Sequence, residues 1–267
     1  MFVLRIPITP SGLDELKAYL TEALPGVKSS HRVEALGRGL GFTTYAALRA
    51  AAQSSETPMA TVSGMRFTSY LAEHRFEVDP AHLYRAAAQV AIKGVLDKMP
   101  RLSIHGISSR RPQRNQDNTW ETPQQSYSRF VELRQECQGL HAAEAFLLAL
   151  TLLSRIQPTR TITSGSGSYR LKHIAENYAC TYPEGGKLGP QYVPNGVLIA
   201  AAVHAGFKYK TYVDDFGYDL PNVNFNMSKR SIDELDFEIR PNMAAANRRI
   251  RRRQSKTVEK VSASMPS

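Results

Sequence analysis

Cysteine is almost missing from this chain. Cys137 and Cys180 are the only two, far apart and without metal-ligand spacing, so neither a disulfide framework nor a thiolate zinc site is implied. Tryptophan occurs once, as Trp120. No run approaches the roughly 18 consecutive apolar residues that a membrane span requires. The opening MFVLRIPITP lacks the charged-then-apolar form of a secretory leader. A cytoplasmic protein with no membrane partner is the expectation. GxxxxGK[ST], H-E-x-x-H, paired CxxC and Gly-x-Ser-x-Gly are absent too. The sequence therefore points to no cofactor and no metal, and Asp214-Asp215 reads as a solvated turn.

What is present is positive charge, unevenly placed. The chain carries a net +10. Residues 240–267 hold eight Lys/Arg against the single acid Glu259, a net of +7 that leaves +3 for all the rest. Those eight include Arg240, Arg248, Arg249, Arg251, Arg252 and Arg253. A basic tail of this kind is drawn to polyanions, and every phosphate it neutralises releases counterions.

With 42% apolar residues, the 267-residue chain has enough for one large or two smaller cores. Residues 2–9 alternate as a strand, and LDELKAYLTEAL follows as an amphipathic helix with Ser11 as its N-cap. Strand character returns at Met59–Phe67 and, more weakly, at Arg75–Val78. Asp79-Pro80 then opens a helix over Ala81–Met99, and Arg101–Ile107 makes a closing strand. With residues 29–56 set aside, the order is strand, helix, strand, strand, helix, strand. That is a ferredoxin-like pattern, common among RNA-binding and RNA-cleaving proteins.

The set-aside segment reads as a helical hairpin. HRVEALGRGL, capped by Ser30, breaks at Gly41, and Thr43 or Thr44 caps YAALRAAAQ. Leu36, Gly37, Leu40, Gly41 and Phe42 fall near the core, close-approach and turn positions of a helix-turn-helix, although Leu48 sits one residue late. Such a unit lays its second helix in a major groove. Arg38, Thr43, Thr44, Tyr45 and Arg49 would be its exposed residues. An ordinary hairpin packing by its Ala-rich face fits the same string.

Residues 108–125 turn polar, with Arg110, Arg111, Arg114 and Trp120, and read as a linker. Arginines interleaved with an aromatic suit a phosphate backbone and a stacked base, or simply solvent. A long helix follows from about Ser126, breaking near Gly139 and ending before Pro158. Next, Ser164-Gly165-Ser166-Gly167-Ser168 opens a basic helix over Tyr169–Tyr178. Pro194-Asn195-Gly196 opens an apolar one that holds His204. A loop running into a helix presents free N–H groups to an anion, with Arg170 and Lys172 on the first turn. Metal-free RNA cleavage needs a general base near the 2′-hydroxyl and cations near the phosphate. His173 with Ser168, Tyr169, Arg170 and Lys172 is the richest local set for that, and His31 beside Arg32, near Arg38, is the second. Strand pieces at Lys208–Val213 and Asn222–Asn226 and a short element at SIDELDFEI complete the chain.

Two fragments, GSYRLKHIAE from Gly167 and YVPNGVLIAAA from Tyr192, resemble a segment of uncharacterised proteins from plasmids and integrative conjugative elements. PNVNFNMS from Pro221 is similar to its end. The resemblance covers residues 160–230 and implies a mobile-element setting without a known reaction. A weaker, architectural resemblance links the N-terminal half to the CRISPR RNA-processing endoribonucleases, which bind a repeat hairpin and cleave beside it without metal. Their Gly-rich loop near the C-terminus and their second ferredoxin-like repeat have no counterpart here.

The expectation is thus an α+β protein. A ferredoxin-like domain over 1–107 carries a helical insertion at 29–56. A linker (108–125), a mainly helical domain (126–240) and a disordered basic tail (241–267) follow. The leading reading is a nucleic-acid-binding protein of a mobile element, its partners RNA hairpin or DNA and other proteins of the same element. A metal-independent endoribonuclease, with His173, Tyr169 and His31 as catalytic candidates, is the alternative. A protein–protein adaptor or inhibitor is a third.

Overall fold

Phe2, Leu4, Ile6 and Ile8 all point inward, as their alternation requires. In the computed structural model, which describes residues 2–108 and 110–242, this stretch forms strand β1 (Arg5–Pro7). It pairs antiparallel with β2 (Met59–Thr61), Ile6 lying opposite Ala60. Helices α1 (Pro10–Ala23), α2 (Ser29–Gly39) and α3 (Tyr45–Ala52) lie between the two strands. The N-cap of α1 is Thr9 rather than Ser11. The Thr9 hydroxyl accepts the Gly12 N–H, and Pro10 takes the first turn, where its missing N–H costs nothing.

The four-stranded ferredoxin-like sheet is not formed among the described residues, whose sheets are three separate antiparallel pairs. Three local causes account for it. The Met59–Phe67 stretch keeps only three strand residues, because the Ser63 hydroxyl accepts the Arg66 N–H and starts helix α4 (Gly64–Glu73). Residues 76–78 join no ladder, and Arg75 before them turns at a φ of 64°. The chain reverses at Ile104–His105, and Gly106 starts the return at φ +119°, a value open to glycine. The expected closing strand thus becomes a tight hairpin of β3 (Leu102–Ser103) and β4 (Gly106–Ile107). The coarser expectation of mixed helix and sheet stands, with helices dominating.

Helix α5 (Ala81–Lys98) sits at the centre. Leu83, Ala87, Val90, Ala91 and Val95 are buried, as the periodicity implies, and so are Tyr84, Ala86, Ala88, Ile92 and Leu96. It packs against α1, α4 and β1, and also against α7 (Leu140–Leu153) and α9 (Asn195–His204). One continuous cluster of buried side chains consequently runs from Phe2 to Leu235. Burying each large aliphatic side chain contributes about 1.5–3 kcal/mol, so α5 is held from both sides.

Helix α6 (Pro123–Gln135) begins at a capping box of Thr122 and Gln125 and passes through a short 3₁₀ turn to the break at Gly139. Helix α8 (Ser168–Ala175) is shorter than its pattern suggested. Strands β5 (Tyr209–Lys210) and β6 (Asn224–Phe225) pair, and SIDELDFEI falls within helix α10 (Lys229–Ile239), capped by the Ser228 hydroxyl. The basic tail beyond residue 242 lies outside the described residues.

Candidate nucleic-acid interface

The Gly/Ser loop before α8 is no phosphate cradle, because its polar groups are already used. Ser166 and Ser168 are fully buried against β6. The Ser168 N–H donates to the Val223 carbonyl (2.8 Å), and the Val223 N–H donates to the Ser168 hydroxyl (3.2 Å). The Phe225 N–H donates to the Ser166 hydroxyl (3.0 Å).

The two cations placed there are committed as well. Arg170 lies 2.8 Å from Asp233 and donates to Asp236 (2.7 Å), which also receives Arg240 (2.7 Å). Burial works against the Arg170 charge, yet the bonds to Asp236 and Asp233 outweigh it and raise its pKa. Lys172 donates to Glu176 (2.8 Å), with its ammonium 4.7 Å from the centre of the Tyr192 ring. Arg170 thus ties α8 to α10, while Lys172 and Arg240 are each paired locally, with Glu176 and Asp236.

His173 keeps a more suggestive setting. Its Nδ1 lies 2.6 Å from the Glu176 carboxylate, and the Tyr169 ring meets the imidazole edge-on at 4.5 Å. Burial pushes the Glu176 carboxyl up, but bonds from Lys172 and His173 prevail and leave its pKa lowered. His173, Asn177, Arg170 and Arg240 line an open cleft of about 710 Å³ that ends against Asn242. A carboxylate orienting a histidine is the arrangement of a general base. Glu176, three residues on along the helix, is the partner that sequence reasoning missed. His31 does not join this set. It packs on α4, with its ring 4.3 Å from His74 and 5.5 Å from Phe76. Among the described residues, no three His, Cys, Asp or Glu side chains gather to hold a metal.

The α2–α3 hairpin forms where the sequence places it. Gly37 faces the α3 entrance so closely that a Cβ there would lie 3.1 Å from the Thr44 backbone. Gly41 turns the chain at φ +88°. Thr44 caps α3 through the Ala47 N–H, and Glu34 of α2 accepts the Tyr45 N–H (3.0 Å). Leu36, Leu40 and Leu48 are buried, so the late position of Leu48 is no obstacle to packing. Helix α1 packs on both α2 and α3. Arg38, Thr43, Thr44 and Arg49 are exposed, while Tyr45 is half-buried. Arg66, from the unforeseen α4, joins Arg38 and Thr43 in a shallow pocket of about 400 Å³.

The 108–125 segment is folded rather than a slack linker. Residues 113–121 make a small hairpin in which Arg114 pairs with Trp120 and the Asn115 N–H donates to the Thr119 carbonyl (2.8 Å). Glu121 then accepts from Arg129 of α6 at 2.7 Å. Arg110 lies over the Phe130 ring, Arg111 over Phe216 and Tyr218, and Arg114 over Trp120. Asp214, instead of being a merely solvated turn residue, accepts the N–H groups of Phe216 and Tyr218. His204, on the apolar helix, packs edge-on against Phe146, and burial lowers its pKa.

Arg248, Arg249, Arg251, Arg252 and Arg253 lie outside the described residues. No helix of the described residues is long and apolar enough to cross a membrane. Compared with protein-family models, curated proteins and solved structures, the chain shows no significant match.

Proposed function

We propose that this protein binds nucleic acid, setting the α2–α3 hairpin against a duplex while its basic excess holds the phosphate backbone. The observation that carries this is the state of three arginines. Arg38, Arg49 and Arg66 surround one hairpin, and their guanidinium groups make no ion pair or side-chain hydrogen bond with the described residues. Arg170, Lys172 and Arg240, by contrast, are neutralised inside the fold. Unpaired arginines around a capped short helix, with a third helix packed behind it, suit a helix-turn-helix approach to a major groove. The resemblance of residues 160–230 supports a plasmid or integrative-element setting.

The test is binding to a duplex, a hairpin RNA and a single strand between about 50 and 200 mM salt. Duplex affinity is expected to fall steeply with salt, and Arg38→Glu combined with Arg49→Glu should lower it at least about tenfold, since a good bidentate contact to a base is worth on the order of 1–3 kcal/mol. Deleting residues 243–267 should weaken every polyanion alike and flatten the salt dependence. Absence of salt-dependent binding to all three ligands would overturn the reading.

A second reading is favoured by the His173–Glu176 geometry: metal-independent cleavage of a structured RNA, with His173 as general base. Incubation with repeat RNA in chelator separates the two. Specific cleavage lost in His173→Ala, with binding retained, supports the enzyme; RNA bound but intact supports the binder. A transfer operon among the neighbouring genes would favour the first reading, a repeat array the second.

A further inference from the structure

Exposed aromatic rings are common singly, but here they come paired with arginines on two adjoining loops. The Arg114 guanidinium lies 4.8 Å from the centre of the Trp120 ring. Arg111 lies 5.4 Å from Tyr218 and 5.7 Å from Phe216, while Arg110 lies 5.5 Å from Phe130, a buried ring of α6. Phe216 is 78% exposed and Trp120 61% exposed. Neither ring has been absorbed by the core, although each would gain by burial.

Both loops are built to hold these rings outward. The 113–121 hairpin is closed at Arg114 and Trp120 and tied to α6 through Glu121 and Arg129. The loop between β5 and β6 is closed at Val213 and Asp219. Its turn is drawn in by Asp214, which accepts from Phe216 N–H (3.0 Å) and Tyr218 N–H (2.9 Å), with Gly217 at φ +81°. Arg111 joins the loops, within cation–π distance of Phe216 and Tyr218 and 3.6 Å from Asp214. The loops are therefore presented as one surface.

We infer that this surface binds a single-stranded nucleic acid. Unpaired bases stack on Trp120, Phe216 and Tyr218, and Arg110, Arg111 and Arg114 meet the phosphates. The guanidinium groups set positive charge beside the rings while keeping partners within the fold: Arg114 donates to the Asn118 carbonyl (3.1 Å) and side-chain oxygen (2.6 Å), and Arg111 lies 3.6 Å from Asp214. An aromatic face is useful to a base only when that base is not already stacked in a duplex, so the ligand class is single-stranded. Arg110, Arg111 and Arg114 bring positive charge to the rings themselves, where such a strand's backbone would run. The inference shares the broad premise of nucleic-acid binding but uses none of the residues assigned to the duplex.

Trp120 is the chain's sole tryptophan, so the site carries its own reporter. The protein is titrated with oligo(U) and oligo(dT) of about a dozen nucleotides, within the usual span of a single-strand site, while Trp120 emission is followed. Saturable, salt-sensitive quenching is expected, with the two oligonucleotides showing whether the sugar matters. Phe216→Ala should weaken single-strand binding about five- to 150-fold, the loss of one base–aromatic stack, with duplex affinity unchanged. Trp120→Phe should retain single-strand binding by anisotropy, and Trp120→Ala should lose it to a similar degree as Phe216→Ala. These positions are exposed, and an unchanged far-UV spectrum confirms that each variant is folded. Arg38→Glu with Arg49→Glu should disturb the duplex arm alone, so that failure of the duplex reading and failure of this one are distinct results. Unquenched Trp120 with both oligonucleotides, an equal response to duplex, or a Phe216→Ala variant binding single strands as the parent does would each overturn the inference.

Discussion

Asp236 lies almost fully buried between two guanidinium groups, Arg170 on α8 and Arg240 just past α10. Removing one partner of such an arrangement leaves uncompensated charge in the interior. Asp236→Ala is accordingly expected to cost about 3–5 kcal/mol, read as a lowered urea midpoint at unchanged slope. Glu176 supplies a pH signature. Its folded pKa is held below the ordinary 4.5 despite the opposing effect of burial, because Lys172 and His173 bond to the charged form. A depressed carboxylate pKa means that the stabilisation is complete above the unfolded value and is lost as pH falls through the folded one. Glu176→Gln should therefore flatten stability against pH below about 4.5, the ordinary carboxylate value, and leave its slope near neutrality unaltered. The thiols are quiet by comparison. Burial pushes Cys137 up to about 12 and raises Cys180 as well, so native protein should react slowly with a thiol reagent near pH 8 and unfolded protein rapidly.

Among the elements, α2 and α3 meet where Gly37 allows their backbones to approach. A Cβ at that position lies 3.1 Å from Thr44 and Tyr45 backbone atoms that cannot swing aside as a side-chain end would. Gly37→Ala should thus cost about 1–3 kcal/mol through overpacking and weaken duplex binding with it. Gly94, within α5, has no atom within 4 Å of an added Cβ. Gly94→Ala should stabilise by about 0.5–1 kcal/mol through helix propensity, read as a raised melting temperature with binding intact. Helix α4 shows the reverse relation between string and shape. Its N-terminus is satisfied locally by Ser63 and from afar by Glu184, which accepts the Met65 N–H at 2.8 Å and the Tyr84 hydroxyl at 3.0 Å. Glu184 lies over a hundred residues along the chain, and no local window contains it.

One core links the two halves. Helix α5 presents apolar side chains to α1 and α4 and also to α7 and α9. Cutting the chain at residue 107 would strip the second set away. The fragment 1–107 is expected not to fold cooperatively, and the intact chain is expected to unfold in a single calorimetric transition. Two separated transitions would show instead that the halves are independent.

Periodicity, caps and turn residues made much of the secondary structure readable. The α5 stripe, the Gly41 turn, the Thr44 cap and the Gly139 break depend on residues close in sequence, and each formed where its local chemistry put it. The helix-turn-helix register of residues 29–56 likewise placed Arg38 and Arg49 outward, and both remain exposed. Local chemistry cannot report which side chains find partners at long range. Arg170 looked like a free cation until Asp233 and Asp236 of α10 came against it. The Gly/Ser loop looked open until residues 223–225 took its hydrogen bonds. Arg111 and the Phe216–Tyr218 turn, a hundred residues apart, form a surface only because the fold brings them together. Strand pairing has the same character: three residues at Met59–Thr61 find β1, whereas 102–107 turn back on themselves, and that choice rests on contacts no single stretch contains.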